Sequence, residues 1–264
     1  MDTRFTAFIL TALPRRKARH LRTLTGSLFL IGCVLAALCI TSVAAASEAK
    51  SKQQEIANPD LVRGMLALRA GEFTTAYTIL QPIAVSGSVH AQYAVGLILA
   101  KQGQQLPADT FDSHSIRAIT DPAERDARRK AVRETQSHQM FVAAARQGHI
   151  GAVFELGFQF ERGIGTSADM SKALQMYRIA AAKNHLKAQY NLAVLLSAGK
   201  NGKPDFAKAY LWAIAAKNNA IKTMHPVLTP QLMNSLAQRI RSKIQHGDAV
   251  RARRTVVSLT GLGV

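Results

Sequence analysis

The chain has 264 residues, of which 48% are hydrophobic and 6% are aromatic, and it carries a formal net charge of +18. A chain of this length can bury a sizeable core in one or two domains, and its few aromatic and many alanine residues favour close-packed helices over a β-sandwich. The positive charge is spread along the chain, so it is compatible with an anionic partner but specifies none.

The N-terminal region resembles a targeting signal. A dense basic cluster at 15–22 precedes an uncharged apolar run at 27–46 that ends on small residues before Ser47. This layout is typical of a secretory signal peptide. An uncleaved anchor is the alternative, because twenty residues at ~1.5 Å each reach about 30 Å, which spans a bilayer. Residues 1–46 are therefore predicted to be a signal peptide or a signal anchor.

Both alternatives place the rest of the chain on the periplasmic side of the inner membrane, with the basic cluster in the cytoplasm. The polar residues 47–59 are expected to be a linker. The two cysteines, Cys33 and Cys39, both lie in the apolar run. The sequence after this run therefore offers no disulfide, no cysteine-based zinc site and no thiol nucleophile.

A repeat of 36 residues follows. Residues 152–180 and 188–216 superpose without gaps at this one offset. Fixed self-similarity in this range indicates a helical solenoid. The residues expected to carry the repeat are Ala152, Leu156, Gly163, Ala173 and Ala180 in the first unit and Ala188, Leu192, Gly199, Ala209, Trp212 and Ala216 in the second.

Each repeat unit is predicted to be a pair of helices. Ala152, Leu156 and Phe160 recur at helical spacing and share one face, and Gly163 supplies the positive φ that ends a helix. The second helix of the unit is rich in alanine on its buried stripe. Alanine at a contact lets neighbouring helices approach to about 8 Å, near the close limit of helix packing.

The repeat pattern extends over 60–220, with an insert at 102–136. Asp121 and Glu124 form a capping box around Pro122, which predicts one long helix from about Pro122 to Gln147. At the other end, Thr229 and Pro230 are predicted to start an end-cap helix that runs to about Ile244. Residues 221–264 are thus expected to be a cap helix and a basic tail.

The repeat units resemble the Sel-one-like repeat family, a branch of the tetratricopeptide-like helical repeats. The shared pattern includes Ala152, Leu156, Gly157, Gly163, Gly165, Asp169, Lys172, Ala173, Tyr177, Ala180 and Ala181, and in the next unit Ala188, Tyr190, Leu192, Gly199, Asp205, Lys208, Ala209, Trp212 and Ala216. The resemblance implies an all-α fold, a right-handed α–α superhelix of helix-turn-helix repeats. It also implies a non-enzymatic scaffold or adaptor that binds other proteins.

The second unit departs from the family pattern. Ala193 replaces the usual glycine, Ala213 the second aromatic residue and Lys217 the second alanine. These departures predict looser packing in the last unit.

The partner-binding wall is predicted on the outward stripe of the first helices. This stripe is expected to comprise Ala94, Ile98 and Lys101, then Glu155, Gln159 and Arg162, then Asn191, Leu195 and Ala198. It mixes apolar and polar groups, as a peptide groove does, although an ordinary solvated face is the alternative.

A basic C-terminal region is interpreted as a solubilising tail, and the alternative is a second binding surface for an anionic membrane or an acidic polymer or protein. It comprises Arg239, Arg241, Lys243, Arg251, Arg253 and Arg254. Nucleic acid is not predicted as a partner, because no aromatic residues alternate with these cations.

No metal, cofactor or catalytic site is predicted. No two of the eight histidines are three or four residues apart, and His90, His149 and His185 recur at unit junctions, where they are interpreted as turn residues. The acids Asp109 and Asp112 lie in the insert and are interpreted as part of a solvated loop. The predicted function is a protein-binding scaffold in the bacterial cell envelope, and an enzyme that uses the insert is the less favoured alternative.

Overall fold

The computed structural model describes residues 58–200 and 202–244, and within these ranges the regular structure is entirely helical. The predicted signal or anchor segment and the basic residues Arg251, Arg253 and Arg254 lie outside the described residues. The prediction of an all-α helical-repeat fold is confirmed. The helices are α1 (Pro59–Ala70), α2 (Phe73–Val85), α3 (Val89–Leu97), α4 (His114–Arg117), α5 (Pro122–Arg146), α6 (Ile150–Arg162), α7 (Met170–Ala182), α8 (Leu186–Ala198), α9 (Phe206–Thr223) and α10 (Pro230–Arg241).

The 36-residue spacing reappears in the boundaries of the helices. Helices α6 and α8 begin and end 36 residues apart, with His149 and His185 as their N-caps. Each ends on a glycine in the left-handed region, Gly163 at φ 69° and Gly199 at φ 63°. A side chain at this conformation is strained, so glycine ends both helices at little conformational cost.

The second helices of the two units start from the same aspartate cap. Asp169 and Asp205 each accept a hydrogen bond from the backbone N–H three residues on, at 2.9 Å. That bond, from the N–H of Lys172, lowers the pKa of Asp169 below its usual value and keeps it ionised. A carboxylate here also interacts favourably with the helix dipole.

Small side chains fill the contacts between helices. The recurring alanines are completely buried, and the larger residues Leu156, Leu192 and Trp212 are at most 5% exposed. The fully buried alanines are Ala152, Ala173, Ala180, Ala188, Ala209 and Ala216. With only a methyl group at these contacts, neighbouring backbones pack closely.

An aromatic ring and a glycine are paired in two of the units. A methyl group at Gly157 would lie 2.8 Å from Cδ1 of Tyr177, and one at Gly96 would lie 2.7 Å from Cε1 of Phe141. At the same positions of the next unit the pair is Ala193 with Ala213, and both are fully buried. The exchange is complementary, because the unit that lacks the ring has the extra methyl group. The expected looseness of the last unit is therefore not seen at this pair.

The insert folds onto the first half of α5. A π-helical turn at Ile98–Gln102 leads into the insert, and the part before α5 contains 3₁₀ turns at Gly103–Gln105 and Ala108–Phe111 and the short α4. The predicted long helix is confirmed as α5, which is capped by Asp121.

Three arginines one helical turn apart on α5 hold the insert. Arg125 donates to the carbonyl of Ile119, and Arg133 lies over the Phe111 ring with its guanidinium carbon 5.7 Å from the centroid. Arg129 donates to both carboxylate oxygens of Asp112, at 2.7 Å each.

The interpretation of Asp112 as part of a solvated loop is therefore wrong. Its side chain is only 12% exposed. The hydrogen bond from Arg129 lowers the pKa of Asp112 and keeps the carboxylate ionised. Bidentate geometry of this kind makes a strong pair.

The end-cap helix is present as α10, and Thr229 caps it as predicted. It ends at Arg241 rather than at about Ile244. Its buried stripe is Met233, Leu236, Ala237 and Ile240, and the last three of these join the cluster formed by α7, α8 and α9. The final apolar surface of the second repeat is thus covered.

The pairing of Ala193 with Ala213 can be tested by introducing a ring at position 213. Ala213→Tyr is expected to destabilise the protein by about 1–3 kcal/mol, because the ring meets the methyl group of Ala193. In the double variant with Ala193→Gly, part of that loss should be recovered even though glycine alone weakens a helix. Chemical denaturation of the four proteins measures the coupling. Strictly additive effects would contradict the pairing.

Candidate partner-binding surface

The first helices of successive units are linked side by side. Nζ of Lys101, just after α3, lies 2.7 Å from Oε1 of Glu155 on α6. The ring of Tyr93 on α3 stacks on His149 with centroids 4.0 Å apart. These contacts bring α3 and α6 together although the insert separates them in the chain.

The same arrangement links α6 with α8. The ring of Phe154 stacks on His185 with centroids 4.6 Å apart. In each case an aromatic residue of one unit stacks on the histidine that caps the first helix of the next unit. His149 and His185 are therefore more than turn residues, because Nδ1 of each accepts the N–H three residues on.

The predicted outward stripe is largely covered, which corrects the sequence interpretation. Asn191 is half-buried, and Lys101, Arg162 and Ala198 are exposed. The remaining five are buried: Ala94 (1% exposed), Ile98 (0%), Glu155 (6%), Gln159 (2%) and Leu195 (6%). A first helix contacts the second helices on two sides and the neighbouring first helices too, so its buried face is wider than one stripe.

Gln159 belongs to a buried polar network rather than to a binding wall. Its Nε2 donates to Oγ of Ser137 at 3.2 Å, and Ser137 donates to the carbonyl of Gly96 at 3.0 Å. Its Oε1 lies 2.9 Å from Nδ1 of His138. The network joins α3, α5 and α6. Replacing Gln159 would leave Ser137 without this contact in the interior, so any effect on binding would be indirect.

Glutamines also clamp two junctions between units. Nε2 of Gln92 donates to the carbonyl of Ala84 at 3.2 Å, and its Oε1 accepts from Gln147 at 2.9 Å. One finds the same arrangement at Gln189, which donates to Ala181 and accepts from Asn219.

Sequence reasoning missed this clamp, although Gln147 and Asn219 are two repeat lengths apart, which is a usable signal. In the middle unit the corresponding positions are Val153 and Lys183.

The exposed apolar residues of this surface come one position before Ile98, Gln159 and Leu195 of the predicted stripe. Leu97, Phe158 and Val194 occupy the same register on α3, α6 and α8, and each is partly exposed, Phe158 by 36%. The exposed cations Lys101 and Arg162 flank them, and the Arg162 guanidinium carbon lies 5.6 Å from the centroid of the Phe158 ring. We call these five residues the open face. Lys101 is already paired with Glu155, so Arg162 supplies the positive charge beside these apolar groups, an arrangement that suits an apolar segment with acidic residues.

The histidine caps are held neutral. Burial, the positive charge of Lys187 and the proximity of His149 together lower the pKa of His185 to about 4. Burial and the nearby His90 also lower the pKa of His149. A neutral Nδ1 can accept the backbone N–H, whereas a protonated one cannot.

These caps predict a loss of stability in mild acid. The pKa of His185 is near 6.5 in the unfolded chain and about 4 in the folded one, so its contribution is complete above pH 6.5 and declines as the pH falls toward 4. Thermal unfolding between pH 7 and pH 5, where most carboxylates stay ionised, should show the melting temperature falling by a few degrees.

The control is the double variant His149→Asn/His185→Asn. Asparagine accepts the same backbone hydrogen bond but does not titrate in this range. The melting temperature of this double variant should vary less with pH than that of the natural protein. Parallel pH curves for the two proteins would show that the histidines are not responsible.

The described ranges contain no cluster of three histidine, cysteine, aspartate or glutamate side chains that could bind a metal. Of the helices between residues 58 and 244, none combines the length and the apolar character needed to cross a bilayer.

Comparisons with known proteins identify the repeat. The Sel1 repeat family matches residues 151–185 and 186–219. Chitin synthase regulator SKT5 of Saccharomyces cerevisiae is 32% identical over 73 residues, which are 28% of this chain and 10% of that protein. Protein SHC1 of the same yeast is 34% identical over 74 residues, 28% of this chain and 14% of that protein. The chain thus matches only about a tenth of the length of these relatives.

A crystal structure of a Sel1 repeat protein from Oxalobacter formigenes has a similar fold. The TM-score is 0.50 at 22% identity, and the match covers 75% of this chain and 67% of that one. Residues 151–219 therefore match two consecutive Sel1 repeats.

Proposed function

We propose that this protein is a non-catalytic scaffold of the bacterial cell envelope that binds a partner protein on its open face. The single observation that carries the proposal is the line of partly exposed apolar residues Leu97, Phe158 and Val194 at one register of three adjacent helices. Repeated apolar positions beside cations offer a partner one continuous strip, and each repeat adds one binding position.

The buried polar groups support a scaffold rather than an enzyme. Glu155 is paired with Lys101, Asp112 with Arg129, and Tyr177 donates to Glu161 at 2.8 Å. Burial and this contact raise the pKa of Tyr177 well above its usual value, so it remains a neutral donor. These groups therefore complete one another's hydrogen bonds and ion pairs.

The envelope location rests on the sequence of residues 1–46. A basic cluster followed by an apolar run predicts export of the repeats to the periplasm, with or without cleavage before Ser47. The yeast relative is described as a regulator of a chitin synthase. A supporting role for a partner protein is consistent with that description.

Site-specific photocrosslinking in cells tests the open face. A benzoylphenylalanine at Phe158 keeps an aromatic ring at a position that is 36% exposed. Ultraviolet light should then give a discrete crosslinked species that mass spectrometry can identify. The matched control is Ile179 on α7, a second helix, which is 43% exposed. Equal crosslinking at the two positions would place the partner elsewhere.

A reporter fusion tests the location. Alkaline phosphatase fused after Ile244 should be active if the repeats are periplasmic, because this enzyme needs an oxidising compartment. An inactive fusion of a stable protein would contradict export. N-terminal sequencing of the same fusion separates cleavage from anchoring.

A further inference from the structure

One end of the open face continues into a pocket between α8 and α10. Its volume is about 270 Å³, and Val194, Ala198, Phe206 and Ile240 supply apolar walls. Arg239 and Lys243 line it as well, and both are exposed residues of the C-terminal region. The tertiary structure thus joins the two surfaces that the sequence offered separately, the repeat wall and the basic C-terminal region.

The pocket exists because of two small residues at repeat positions. Val194 occupies the register of Phe158, and Ala198 occupies that of Arg162, 36 residues earlier. In the preceding unit those two larger side chains stack on one another. The second unit therefore lacks a ring and a guanidinium group where the first has both, and α10 closes the far side.

The charge of the pocket is positive. Nζ of Lys243 lies 5.6 Å from the centroid of the Phe206 ring, at the edge of the apolar walls. None of the residues that line the pocket is acidic. Asp205, next to Phe206 in the chain, is already paired with Lys208 at 2.8 Å and caps α9. The positive charge of Arg239 and Lys243 is therefore available to an incoming anion.

We propose that this pocket binds one apolar side chain of a partner protein's acidic segment, whose flanking carboxylates pair with Arg239 and Lys243. The proposal rests on the scaffold function above and names the class of partner. Charge decides between candidate occupants, because the chain's own residues 245–264 contain three arginines and one aspartate. Like charge disfavours that segment and favours an acidic one.

A peptide-binding assay tests the proposal directly. The probe is a fluorescein-labelled peptide in which Leu-Phe is flanked on both sides by Asp-Glu, and anisotropy measures its binding to the full-length protein in zwitterionic nanodiscs. Two control peptides replace Leu-Phe by Ser-Ser, or the acids by Asn and Gln. The first peptide should bind with a Kd below ~1 mM and at least ~10-fold more tightly than either control.

Filling the pocket with residues from the preceding repeat gives the main variant. Val194→Phe/Ala198→Arg should weaken binding at least ~10-fold, a loss of about 1.4 kcal/mol. Both side chains already occupy this register in the first unit, so the fold should tolerate them, which circular dichroism checks. Because the variant adds a positive charge, weaker binding cannot come from lost electrostatic attraction.

Charge variants provide the second test. Arg239→Gln should weaken binding and reduce its dependence on salt, whereas Arg241→Gln makes the same charge change on an exposed residue outside the pocket lining. Equal effects of the two substitutions would indicate general attraction to a basic surface and would overturn the proposal. So would unchanged binding in the filled variant, or no binding of the first peptide.

A lipid headgroup is the rival source of negative charge. Monomeric short-chain phosphatidylglycerol that displaces the peptide from the natural protein, together with equal binding of the Ser-Ser peptide, would assign the pocket to a headgroup instead. The scaffold function is tested separately, by crosslinking at position 158 in the filled variant. Crosslinks that persist while the peptide assay fails would retain the scaffold and reject this pocket.

Discussion

The close approach of helices through small side chains is the constraint on which this structure depends. Where a ring projects from a second helix, as Tyr177 does, the facing position of the first helix is Gly157; where the ring is absent, at Ala213, the facing position is Ala193. A glycine thus faces the ring in one unit, and alanine faces alanine in the next. This complementarity explains how a departure from the repeat pattern can leave the packing complete.

Polar contacts at the junctions add orientation to this packing. The capping histidines His149 and His185 stack on a ring of the preceding unit, and the glutamines Gln92 and Gln189 reach back to a carbonyl of the preceding helix. Each of these side chains therefore contacts two units. Apolar burial supplies the energy of stacking, while directional bonds fix how one unit sits on the next.

Directional polar contacts also hold the insert in place, but here they come from arginines. Arg125, Arg129 and Arg133 form one stripe on α5, and each is used on a group of the insert. Asp112 of the insert is thus part of its structure. Among the described surfaces, the strip around Phe158 and the pocket lined by Val194 and Arg239 both combine apolar groups with positive charge.

The sequence by itself determined the repeat length, the helix starts at Asp121 and Thr229, the helix ends at Gly163 and Gly199, and the identity of the buried alanines. These are local properties: caps, glycine turns and periodicity act within a few residues, and the 36-residue offset makes them visible twice. The tertiary structure decided which side chains remain open to a partner. Glu155, Gln159 and Leu195 looked outward on a single helix, but neighbouring helices cover them, whereas Val194 and Ala198 border a pocket because α10, about forty residues further on, packs beside them. The exposure of a side chain depends on all the helices packed around it, so the pattern of a single helix could not predict which residues remain exposed.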